Sequence, residues 1–137
     1  MRAICVMELK YTSPIAPLKS YMVYLPAVLV TAGIAMLSLT ESTHMPSVSV
    51  NDKLIHGLMY GVLAVTWLIP LLRTDPHVRT YLYVCVGATM YGALMETLQR
   101  FCTLTRSGEI ADLLADFIGV AIGIGIVVLL RIINHKS

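Results

Sequence analysis

The sequence predicts an all-α integral membrane protein, an antiparallel bundle of four transmembrane helices. Three observations predict it. Of the 137 residues, 57% are hydrophobic and only 13% are charged, half the charge of an ordinary soluble domain. Four apolar runs, each near the roughly 20 residues that a bilayer crossing requires, occupy most of the chain. The links between the last three runs are short, as they are between consecutive antiparallel helices. A water-soluble fold of this size has no interior large enough to hide so much apolar surface.

Residues 1–20 contain Glu8, Lys10, Pro14 and Pro17, which interrupt the apolar core that a cleavable signal peptide needs. They read as a cytoplasmic N-terminal segment ahead of one domain over residues 21–137. The first helix is expected over roughly Tyr21 to Leu39, ending in a polar stretch that includes Pro46. The second starts at Asn51 and Asp52, which offer N-cap chemistry, and runs through Leu72, with Pro70 a point where it ends or kinks. The third covers about Val78 to Phe101 and the fourth about Ile110 to Ile133, joined by a link containing Arg106, Ser107 and Gly108.

Small residues recur at helical spacing in the last three runs: Gly57 and Gly61; Ala88 and Gly92; Ala115, Gly119 and Gly123. They let helix backbones approach closely where lipid removes the hydrophobic drive to associate, either within the bundle or across a homodimer. Cys5, Cys85 and Cys102 are too scattered for a disulfide framework or a Cys-x-x-Cys metal site and read as free thiols. His44, His77 and His135 read as solvated positions, and the eight methionines as core filling. Trp67, Tyr21, Tyr24, Tyr81 and Tyr83 read as interfacial anchors.

A net charge of +2 without a basic tract excludes nucleic acid as a natural partner. Position matters more than total. With four crossings, the termini and the Asp75 loop share one side and carry seven Lys and Arg, against three on the other side. The positive-inside rule then places both termini in the cytoplasm.

The acidic outer end holds the chemistry. Asp52 and His56 lie four residues apart, with Tyr60 a further turn deeper. Glu96, Gln99 and Arg100 share one face of the third helix, and Asp112 and Asp116 repeat the four-residue spacing on the fourth. His56, Glu96 and Asp116 fall roughly 6 to 10 Å inside their helix ends, at about 1.5 Å per residue. Ionisable groups at that depth face protein or water and mark a functional site by default, a structural polar network being the plainer alternative. In that alternative Arg100 and Arg106 pair with Glu96, Glu109 and Asp112.

These residues resemble the VanZ-like family of small polytopic membrane proteins. The resemblance is carried by Asp52-Lys53 followed by His56 and Tyr60, then Glu96 with Gln99, then Arg106, Asp112 and the stretch from Asp116 to Gly119. It spans about Asn51 to Gly123. One position departs: the family pattern commonly has Asn where this chain has Asp116. A carboxyl that keeps its proton imitates an amide, so Asp116→Asn is expected to be nearly neutral for stability and activity. The resemblance implies a cell-envelope role in the bacterial cytoplasmic membrane, with altered susceptibility to the glycopeptide teicoplanin as the phenotype attached to the family.

Three functions follow from these residues. The first is a non-enzymatic factor binding an envelope lipid or a lipid-linked peptidoglycan precursor through Lys53, Arg100 and Arg106, with Asp52, Glu96 and Asp112 orienting those cations. The second is an intramembrane hydrolase or transferase using His56 and Glu96 in acid–base work; a variant has a divalent ion, magnesium or manganese, held by Asp52, His56, Glu96 and Asp112. The third is a scaffold that engages another protein through the small-residue stripes.

Overall fold

The computed structural model describes residues 21–40, 50–102 and 110–136, except for the side chains of residues 50, 51, 135 and 136. These residues form four helices: α1 Leu25–Leu39, α2 Val50–Thr74, α3 Val78–Cys102 and α4 Ile110–Lys136. No strand occurs among them.

α1 begins four residues later than the apolar run suggests. Pro26 sits in its first turn, where a missing N–H costs nothing and the fixed φ favours a helix start. A tight turn, in which Tyr24 N donates to Tyr21 O at 3.0 Å, precedes it. α2 starts at Val50, so Asn51 lies inside the helix rather than capping it, and Asp52 falls in the first turn. Pro70 does not end α2, which continues to Thr74. α4 extends past the expected Ile133 to Lys136.

α2 and α4 run in the same direction. Lys53 meets Asp112, His56 meets Asp116, and Gly61 meets Gly119, so partner numbers rise together. Their backbones touch. A Cβ at Gly119 would collide with the Gly57 carbonyl, and one at Gly123 would lie 2.5 Å from Gly61 O. The small-residue stripes of the second and fourth runs therefore face each other within the chain, where a larger residue would force the helices apart.

α3 opposes both: His56 meets Glu96, and Tyr60 packs near Gly92. α1 is tied to α2 by Trp67 Nε1 donating to Thr31 Oγ1 at 3.0 Å. It is tied to α3 by Tyr91 Oη donating to Thr31 O at 2.7 Å and Gln99 Nε2 donating to Ser38 O at 3.1 Å. Trp67 is thus a partly buried joint between α1 and α2, its ring tilted against Tyr24 at 6.3 Å. The reason is its N–H, which needs an acceptor when it leaves water.

The core is a line of aliphatic side chains, Leu63, Ala64, Leu68, Val84, Val120 and Val127 among them. The outer surface is equally apolar. On α2, Leu54 and Leu58 are both 61% exposed, and on α4 Leu114, Ile118 and Ile122 are exposed in the same way. Exposed threonines do not spoil this surface, since Thr66 and Thr97 each donate to the carbonyl four residues back. α2, over Asp52–Thr74, and α4, over Ile110–Asn134, are long and apolar enough to cross a membrane.

Candidate functional site

Because α2 and α4 are parallel, their N-termini lie together at one end, beside the C-terminal end of α3. Asp52 and Asp112 occupy the first turns of α2 and α4, where the helix dipoles favour negative charge. This end gathers most of the polar side chains that the sequence singles out.

His56 is the hub. It is 7% exposed, and its Nδ1 lies 3.1 Å from Asp116 Oδ1 and 3.8 Å from Glu96 Oε1. Glu96 is 8% exposed and Asp116 is completely buried, so three helices contribute one ionisable group each to a buried cluster. Gly92 makes the space for it: a Cβ there would lie 2.9 Å from Asp116 Oδ2 and 3.2 Å from the Tyr60 ring. Tyr60, 1% exposed, lies one turn below His56; neither its hydroxyl nor Asp116 Oδ2 has a hydrogen-bond partner among the described residues.

Nearer the surface, Lys53 Nζ donates to Asp112 Oδ1 at 3.0 Å. Lys53 is therefore a partner of Asp112. The lysine is half exposed and the carboxylate nearly buried, so the pair forms the rim of the cluster.

The remaining expected residues separate. Gln99 is buried but donates to α1, which makes it a brace between helices. Arg100 is exposed and makes no ion pair among the described residues. Arg106 lies outside the described residues, as do Glu109 and His44. The expected metal set also divides. Asp52, His56 and Asp112 each offer a ligand atom within 4.8 Å of one another; so do His56, Glu96 and Asp116, and Glu96 groups with Asp116 rather than with Asp112.

The opposite end is simpler. Asp75 accepts a hydrogen bond from Arg79 Nε at 3.1 Å and pairs with His77. The Arg79 guanidinium first, and His77 second, hold the Asp75 carboxyl below the usual carboxylate range. Arg131 on α4 donates to the Tyr81 hydroxyl on α3 at 3.0 Å.

A cavity of about 280 Å³ lies deeper, between α1, α2 and α3, lined by Thr31, Leu63, Trp67, Leu71, Val84 and Tyr91 with Gly87 and Ala88. None of the expected site residues lines it. Its trace in the sequence is Gly87-Ala88, whose small side chains leave the space that Trp67 and Tyr91 border.

An apolar exterior around a buried ionisable cluster defines the class: a small helical membrane protein with its polar groups collected at one end of the bundle. The family model VanZ/LLP1 matches residues 17–131, most of the chain, and the protein belongs to that family. Comparison with curated proteins and with solved structures finds no match.

Proposed function

We propose that this protein is a four-span component of the bacterial cytoplasmic membrane, with both termini in the cytoplasm. Its outward end binds the anionic headgroup of an envelope lipid or lipid-linked peptidoglycan precursor. By changing what reaches the cell surface, it alters glycopeptide susceptibility, teicoplanin included.

The observation that carries this reading is the collection of Lys53, His56, Glu96, Asp112 and Asp116 at one end of three helices, with the cation at the rim and the acids behind it. Cations held in place by carboxylates meet phosphate through charge-assisted hydrogen bonds. Arg106, in the sequence link between α3 and α4, carries a planar fork suited to the same group. Lipids recovered with purified wild-type protein should be enriched in lipid-linked phosphates, and Lys53→Ala and Arg106→Ala should each lose that enrichment several-fold. Equal recovery with wild type and both variants sinks the proposal.

A second reading is an intramembrane hydrolase or transferase acting on a lipid headgroup. It is favoured by the position of His56 between two carboxylates, an arrangement suited to general acid–base work. Undiminished function in His56→Ala would remove it.

A further inference from the structure

We infer that His56, Glu96 and Asp116 bind one divalent transition-metal ion, zinc or manganese, in the interior of the bundle. The inference goes beyond headgroup binding and does not require it.

The first support is geometric. One ligand atom from each of the three side chains lies within 4.8 Å of the others. With metal–nitrogen and metal–oxygen bonds of about 2.1 Å, two ligands of a tetrahedral ion stand roughly 3.4 Å apart. The separations at His56 Nδ1, 3.1 Å to Asp116 and 3.8 Å to Glu96, bracket that value. Small side-chain rotations admit the ion.

The second support is an unanswered acceptor. Asp116 is completely buried, and its Oδ2 has no hydrogen-bond partner among the described residues. A buried carboxylate oxygen without a donor is costly, and a cation held by both oxygens of Asp116 answers it.

Charge gives the third. Asp116 carries its carboxylate, completely buried, into apolar surroundings where a charge needs compensation. Imidazole with carboxylates suits zinc or manganese better than magnesium, which takes an all-oxygen shell and keeps its waters. Three protein ligands leave a coordination position open on a four-coordinate ion.

The test uses full-length protein in detergent micelles, stripped with a chelator and offered zinc, manganese or magnesium separately. After desalting, elemental analysis should find one zinc or manganese ion per chain, with no retained magnesium. Glu96→Gln and His56→Gln should each weaken retention roughly tenfold or more. Asp52→Asn should leave retention unchanged, because Asp52 belongs to the outer trio. Cobalt substitution supplies a second readout, since visible ligand-field bands should appear in wild type and change in Asp116→Asn. Thermal melts without metal identify the variants that stay folded. Retention by wild type no greater than by folded Glu96→Gln, or loss of the ion in Asp52→Asn, overturns the assignment. Lipid recovery is measured separately, so failure of either proposal leaves the other standing.

Discussion

Gly57 and Gly119 meet backbone to backbone, and His56, immediately before Gly57, meets Asp116, one turn before Gly119. The seam that joins α2 to α4 thus sets the register of the polar cluster. A change in one propagates to the other.

Gly119→Ala should destabilise the protein by about 2 kcal/mol, because the added methyl meets backbone rather than a movable side chain. Gly125→Ala meets nothing within 4 Å, so it should leave stability unchanged or raise it by up to about 1 kcal/mol through helix propensity. Denaturation in detergent checks the opposite signs. Equal effects would contradict the seam.

In metal-free micelles, Asp116→Asn should be close to neutral for stability, since an amide oxygen accepts from His56 Nδ1 as the carboxylate does. Asp116→Leu should cost about 3 kcal/mol by leaving buried His56 without that acceptor. A second change, His56→Leu, should recover part of the loss. Equilibrium unfolding of the single and double variants measures it, and a severe loss in Asp116→Asn refutes the equivalence.

The Trp67–Thr31 hydrogen bond joins α1 to α2 at 3.0 Å. A double-mutant cycle with Trp67→Phe and Thr31→Val should give a coupling of about 0.6 kcal/mol, the scale of interhelical hydrogen bonds in bilayers. A coupling of zero would place α1 differently.

Asp75 supplies a pH dependence. Its carboxyl is held below its ordinary value by Arg79 and then His77, so the native state binds the proton less readily than the unfolded chain. The contribution is present above the unfolded value and is lost as pH falls through the folded one. Melting wild type and Asp75→Asn from neutral to acid pH should show a small gap that closes on acidification and narrows in salt. A gap that widens in acid contradicts this sign.

A reporter enzyme active only outside the cytoplasm should be silent when fused after Ser137 and active when inserted among residues 41–49. Activity at the C-terminus would invert the proposed orientation.

The four helices among the described residues, and most of their boundaries, were legible in the chain because apolar run length and helix period are local properties. The exceptions have local causes of another kind. Pro26 delays α1, while Pro70 lies within a helix that continues around it. The site was legible as polar stripes, since spacing reveals which residues share a face. Gln99 shares the Glu96 side of α3 in that reading, yet packing turns it to Ser38.

By itself the sequence determined that the chain forms apolar helices with their ionisable groups near one end. Only tertiary structure decided that Asp116, rather than Asp112, joins His56 and Glu96, that Lys53 holds Asp112, and that Arg100 remains outside. The physical reason is that spacing along a helix defines a face but not its partner. That choice is made where Gly57, Gly61, Gly119 and Gly123 let two parallel backbones touch, and a different close contact would pair the same stripes differently.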